Sequence, residues 1–284
     1  MLNLAVAGLA AGGSYALIGV SLVLLYRVGA VVNFSQTFAA TFAVFAMTDL
    51  LDKDWNLWTA VAAAMAIGIA IAAAQGFIMA KLFRNSDVLI RSTVAMAMAI
   101  ALFGLTVRVF HDKQRFFPAL FSSLSRRIGD VLVSGQVVVA LFGAVVLSVI
   151  LWLILSYTRL GTILRAVAGR PVTAELMGVR TTRLVVLVWA VAGALTTAAI
   201  ILVAPTRGSI PNMVVLVIPA LAAAVVGAMR SFALTVVGGL ALGMIESMAL
   251  DWGFIGNYRP SLSFAVIAVV LLWSQRKETW SEAR

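Results

Sequence analysis

Cysteine is absent from the 284 residues, which excludes disulfides and thiolate metal sites. Charge is scarce. Asp, Glu, Lys and Arg make up 11% of the chain against 63% hydrophobic residues, a balance foreign to soluble globular domains. The single histidine, His111, has no second candidate ligand beside it, so no metal site is expected. No G-x-x-x-x-G-K-[S/T] phosphate loop occurs, and the chain cannot bind ATP through that device. Nor is there a nucleophile–base constellation or a metal-ligand cluster on which to build an enzyme. Ionisable groups near the middle of the apolar runs are nearly missing, although a proton- or sodium-driven carrier usually needs them.

What is there is a succession of apolar runs: Leu4–Tyr26, Val28–Leu51, Leu57–Ala80, Ser92–Val109, Gly135–Tyr157, Leu184–Ala204, Met213–Met229, Phe232–Leu250 and Ser261–Ser274. A bilayer span takes about 20 residues. The seventh and ninth runs are short and read as a half-helix or a tilted, buried one, which leaves eight or nine spans. The fold class expected is an all-α polytopic membrane protein forming one transmembrane domain over residues 1–284. Met1 leads straight into the first run with no basic n-region, so that run reads as a retained span and not a signal peptide.

The formal charge of +10 comes from Lys and Arg in short interhelical loops, a distribution that argues for membrane topology and against nucleic acid. With the N-terminus outside and nine crossings, the inner side takes Arg27, Lys81, Arg84, Arg91, Arg159, Arg165, Arg170, Arg180, Arg183, Arg230, Arg276, Lys277 and Arg284. The outer side takes Lys53, Arg108, Lys113, Arg115, Arg126, Arg127, Arg207 and Arg259. The inner excess favours this orientation, with the C-terminus cytoplasmic.

Between two such runs lies a polar stretch, residues 158–183, that reads as a pair of short helices with a corner. Gly169 can close the first helix, Pro171 can open the second, and Gly178 can end it. Leu164, Val167, Leu176 and Met177 are expected to give the pair one apolar side, ringed by Arg159, Arg165, Arg170, Arg180 and Arg183. Residue pattern alone allows either a docking knuckle or a basic loop held at the headgroups.

The sequence R-A-V-A-G-R-P-V-T-A-E-L-M-G-V from Arg165 to Val179 resembles the coupling segment of ABC importer permeases of the branched-chain amino-acid type. Gly169 stands where that family usually has an acidic residue. The resemblance implies a type II ABC importer-like permease whose coupling-helix pair docks into a cytoplasmic ATPase through Gly161, Arg165, Ala166, Ala174, Glu175, Leu176, Gly178 and Val179. It also implies two ATP-binding subunits carrying ATP and Mg, a second homologous permease or another copy of this chain, and an extracytoplasmic substrate-binding protein. The location implied is the bacterial inner membrane, with no cofactor in this chain. Substrates would be branched-chain or related amino acids, with urea, amides and small carboxylates as alternatives. An autonomous carrier or channel, or an assembly subunit, is the competing class.

Candidate pathway residues follow from cost. Asn33, Ser35, Gln36 and Thr37 are polar groups inside an apolar run, and they must face protein or a water-filled cavity. Asn33-Phe34-Ser35-Gln36 also resembles an N-F-S-Q stretch of the same family, with Thr37 in place of a customary glycine. Interhelical hydrogen bonding is the competing reading. Gly8 and Gly12 form a G-x-x-x-G pair suited to helix packing, while Gly12-Gly13 could loosen the helix beside a pathway. Pro219 and Gly227 interrupt the seventh run, as discontinuous helices at transport pathways do. The resemblance extends to this region, where Gly227-Ala228 replaces a glycine pair. Glu246 is the one carboxylate clearly inside a run, four residues from Leu250, and reads as a structural partner or interfacial site ahead of a proton relay. Residues 111–134 form the longest outer loop and read as an interfacial lid. The resemblance implies that the binding protein docks there.

Overall fold

A computed structural model describes residues 2–29, 31–84, 86–111, 113–128, 131–169, 171–249 and 259–282. Arg170, Leu250 and Arg284, which figure in the sequence reading, lie outside these ranges.

Long apolar stretches without interior breakers become long helices: α1 (Leu2–Gly29), α2 (Ser35–Leu51), α3 (Leu57–Leu82), α4 (Val88–Phe110) and α5 (Gly135–Tyr157). The two short helices of the knuckle follow, α6 (Arg159–Gly169) and α7 (Pro171–Leu176), and then α8 (Thr181–Arg207). The chain continues through α9 (Ile210–Val214), α10 (Val217–Val226), α11 (Phe232–Met248) and α12 (Arg259–Glu282). Five of these helices are long and apolar enough to cross a membrane, and Ile210–Val226, Phe232–Met248 and Ser261–Trp273 are shorter apolar stretches.

The protein is built around α1, which packs on α5, α8, α10 and α11. Small residues set that arrangement. On α1 and the antiparallel α11, the spacings Gly8/Gly12 and Gly239/Gly243 interlock. A Cβ on Gly12 would stand 2.9 Å from the Gly239 carbonyl oxygen, and one on Gly8 would stand 2.5 Å from that of Gly243. This backbone-to-backbone approach is what small-xxx-small spacing permits, because lipid supplies no hydrophobic drive between helices. A second seam joins α3 to α8, where Gly76 admits Trp189 and Gly193 admits Ala72.

Of the two readings of the α1 glycines, helix packing is the one seen: α1 is unbroken, and Gly13 packs on Ala140 of α5. One expectation needs correction. The second run does not begin as helix at Val28, because α1 continues to Gly29 and α2 starts only at Ser35. The side chain of Gln36 then meets Ser21 and the Ile18 carbonyl. Ser21 lies eight residues before Gly29, about 12 Å along α1 at helical rise, so α2 begins deep within the bundle. The segment read as an interfacial lid, residues 111–134, carries some regular structure. It contains a short 3-10 turn (Ser122–Leu124) and a hairpin pairing β1 (Arg126–Ile128) with β2 (Val131–Val133), in the register Arg126↔Val133.

Candidate coupling knuckle and interhelical polar network

The knuckle forms where the sequence placed its punctuation. Arg159–Gly169 and Pro171–Leu176 are the helices, and Gly178 adopts φ +85° after the second. The Gly178 N–H donates to the Glu175 carbonyl at 2.8 Å and the Val179 N–H to that of Ala174 at 3.1 Å. These are the paired bonds of a glycine-terminated helix end.

The expected single apolar side is split in two. Leu164, Val167 and Ala174 are buried toward the membrane helices, whereas Leu176 and Met177 are 85% and 82% exposed, with Val172 exposed beside them. Arg159, Arg165, Arg180 and Arg183 are exposed around that tip, as are Ala166 and Gly178, and Val179 is half-buried. Gly161 is buried because α6 crosses the end of α5 closely; a Cβ there would strike the carbonyls of Ile154 and Leu155. Arg165 donates to the Leu155 carbonyl and, at 3.2 Å, to the Thr162 hydroxyl. Glu175 accepts from the Thr181 hydroxyl at the start of α8 and pairs with Arg84, which follows α3. The Thr181 hydrogen bond, reinforced by the hydrogen bond and charge of Arg84, holds the Glu175 carboxyl below its ordinary range despite partial desolvation.

The knuckle is thus fastened by Gly161, Arg165, Ala174 and Glu175 to α5, α8 and the α3–α4 loop, and it presents Ala166, Val172, Leu176, Met177 and Gly178 outward. Sequence reasoning missed Arg84. The available signal was Glu175, the one acid in a basic segment and therefore in need of a basic partner.

The polar start of α2 is buried. Asn33 Oδ1 accepts from the Ser35 N–H at 3.0 Å and the Ser35 hydroxyl at 2.6 Å. Gln36 Oε1 accepts from Ser21, whose hydroxyl lies 3.0 Å from that of Thr196 on α8. Phe34 is the half-buried member of the group. In this conformation Gln36 therefore joins α2 to α1, while Asn33 and Ser35 bond each other at the start of α2. Thr37 has a different task. Pro219 has no N–H to bond the Val215 carbonyl four residues earlier, and the helix breaks between α9 and α10. Ile218 turns to Val215 instead, and the carbonyl of Val214 is taken by the Thr37 hydroxyl at 3.2 Å. The carbonyl left over by this shift, that of Val214, therefore faces α2, not a cavity. Gly227 caps α10 closely against Thr235, and the following Ala228 and Met229 take φ +50° and +53°.

Glu246 is 5% exposed and fully engaged in structure. It accepts from Tyr15 and from Ser263, both at 2.8 Å, and Arg207 donates to the same Tyr15 oxygen at 2.8 Å. Four helices, α1, α8, α11 and α12, meet there. On the same end of the bundle Arg115 pairs with Asp49, donates to Thr48 at 2.7 Å and stacks over Phe45 and Phe110, while its N–H bonds the Gly208 carbonyl at 2.8 Å. Phe117 turns inward onto Phe45, and Phe116 is 95% exposed. No group of three metal-ligating side chains occurs among the described residues.

A glycine-cornered helix pair fastened beneath a glycine-packed bundle matches a known kind of protein in sequence. The profile of the family described as "Branched-chain amino acid transport system / permease component" covers residues 4–274. The chain belongs to this family. It is 26% identical over 282 residues to the high-affinity branched-chain amino acid transport system permease protein LivH of Escherichia coli (strain K12), covering 93% of this chain and 91% of LivH. It is 27% identical over 281 residues to the corresponding protein BraD of Pseudomonas aeruginosa, covering 94% and 91%. In fold it resembles a solved inward-facing metal-chelate type ABC transporter, with TM-score 0.50 and 18% identity, covering 95% of this chain and 85% of the other. The chain is accordingly a multi-pass permease component built on a helical bundle.

As a permease component it needs elements that move together. The residues that tie its elements are Arg84, Tyr15 and Arg115, and none of them stood out by pattern. Tyr15 is a lone phenol in an apolar run and Arg115 one of several outer basic residues, and only the folded structure gives each its partner.

Proposed function

We propose that this chain is the translocating subunit of an ATP-driven importer for branched-chain or related amino acids. It would work with two ATP-binding subunits, with a second permease or another copy of itself, and with an extracytoplasmic substrate-binding protein. ATP and Mg would sit on the partners. The observation that carries the reading is the knuckle's division of labour: an exposed apolar tip at Val172, Leu176 and Met177 on a helix pair otherwise anchored to α5, α8 and the α3–α4 loop. A closing ATPase that grips this tip would move three membrane elements at once. The orientation follows, with the knuckle cytoplasmic and residues 111–134 outside, facing the binding protein. In this scheme Asn33, Ser35 and Gln36, at the deep start of α2, rearrange as the helices rock and line the pathway in the state that opens it.

The decisive variant is Leu176→Asp with Met177→Asp. ATPase subunits that copurify with the wild-type complex are expected to be lost, while the permease keeps its melting profile in detergent. Charge reversal at Arg165 and Glu175 is a poorer choice, because both bond within the chain. Undiminished ATPase recovery with the double aspartate would remove the tip from the docking surface.

A further inference from the structure

At the knuckle end, two cavities of about 350 Å³ each share Arg27, Ser156 and Arg230. The first runs beneath α6 to Leu164 and Arg165. The second climbs α5 to Ser148, Val149 and Trp152. Ser148 lies nine residues before Tyr157, about 13 Å along α5, so the two cavities together reach from the knuckle end of α5 well into its apolar length.

Among the described residues, no acidic side chain lines either cavity. The described ion pairs are Arg84–Glu175 and Arg115–Asp49, so among the described residues neither Arg27 nor Arg230 has a carboxylate partner. Arg27 instead lies over the Phe232 ring at 5.3 Å, and Arg165 bonds the Leu155 carbonyl. Three guanidinium groups lining one cavity repel one another. Beside them, Val149 and Trp152 expose apolar surface on α5.

We propose that this cleft is a binding site for an anionic phospholipid, with the phosphate between Arg27 and Arg230 and an acyl chain along Val149 and Trp152. Guanidinium groups match phosphate oxygens in geometry as well as charge. The sidedness proposed above puts the site at the inner leaflet, where anionic lipid is concentrated. Depth selects lipid over protein: an acidic segment of a docked ATPase could approach Arg165, but it could not follow the cleft to Ser148.

The test measures lipid, not transport, so it stands apart from the importer reading. The full chain is reconstituted with phosphatidylcholine and phosphatidylglycerol, extracted in mild detergent and examined for retained lipid by native mass spectrometry. Wild type is expected to keep phosphatidylglycerol selectively. Arg27→Gln with Arg230→Gln should weaken retention about 30-fold, from about 1 kcal/mol per basic residue at the surface. Arg27→Lys with Arg230→Lys should restore most of it, and Arg183→Gln, the same charge removed outside the cleft, should change nothing. Should the Gln pair fail to fold, Trp152→Ala provides the second arm, weakening retention with the arginines intact. Equal retention by wild type and these variants would overturn the site. Displacement of the lipid by millimolar inorganic phosphate would reassign it to a free anion, and displacement by added ATPase subunits would reassign it to a protein contact.

Discussion

Tyr15 holds two charged groups at once, giving its proton to Glu246 and accepting from Arg207. A carboxylate this buried is tolerable only with such company, because desolvation without a partner costs several kcal/mol. Tyr15→Phe leaves Glu246 with Ser263 and deprives Arg207 of the same oxygen. The expected loss is about 2 kcal/mol of stability, the range for hydrogen bonds to charged groups, read as a lowered unfolding midpoint in detergent. Glu246→Gln should cost less, since the amide oxygen can still accept from Tyr15. An equal or larger loss for Glu246→Gln would mean that the carboxylate's charge matters beyond this hydrogen bond.

Among elements, the α1–α11 pair shows what a glycine is for. Gly243 faces the backbone of Gly12, where any Cβ must push the helices apart, whereas Gly143 on α5 has no atom within 4 Å of its would-be Cβ. Gly243→Ala should destabilise by about 1–3 kcal/mol, the usual cost of overpacking. Gly143→Ala should be neutral or gain up to about 1 kcal/mol from helix propensity. Unfolding of the two variants side by side decides it, and similar behaviour would remove the close approach from the account of how these helices associate. The G-x-x-x-G spacing and the corners at Gly169, Pro171 and Gly178 were legible in the sequence because each rests on local geometry. The start of α2 was not, since an apolar run looks the same whether it is helical from Val28 or only from Ser35. The break ahead of α10 was half legible: Pro219 announces it, but once Ile218 turns to the Val215 carbonyl the unpaired one is that of Val214, five residues before the proline, and its donor, Thr37, is distant in sequence. Likewise the knuckle's apolar residues were visible, but their division into a buried and an exposed set depends on what α6 and α7 rest upon.

At the scale of the whole molecule, the arginines sort by end. Arg27, Arg165 and Arg230 gather at the knuckle, while Arg115 and Arg207 are bound into carboxylate networks at the opposite end. The two ends therefore differ in kind. Beside the Arg84–Glu175 pair, the knuckle end holds Arg27 and Arg230 with no carboxylate partner among the described residues, as suits a surface facing anionic lipid, whereas the other end pairs Arg115 with Asp49 and links Arg207 to Glu246 through Tyr15. The proposed orientation, with the knuckle cytoplasmic, is the one the positive-inside rule favours. The absence of cysteine makes this directly measurable, because any introduced thiol is the sole target. Phe116→Cys and Thr173→Cys place one exposed thiol at each end. With a membrane-impermeant maleimide, Phe116→Cys should label in spheroplasts, and Thr173→Cys only after the membrane is opened. The reverse pattern would put the knuckle outside, and a chain so inserted could not be driven by a cytoplasmic ATPase. Labelling of Thr173→Cys that is further blocked when the ATPase subunits are present would place that partner on the same exposed tip.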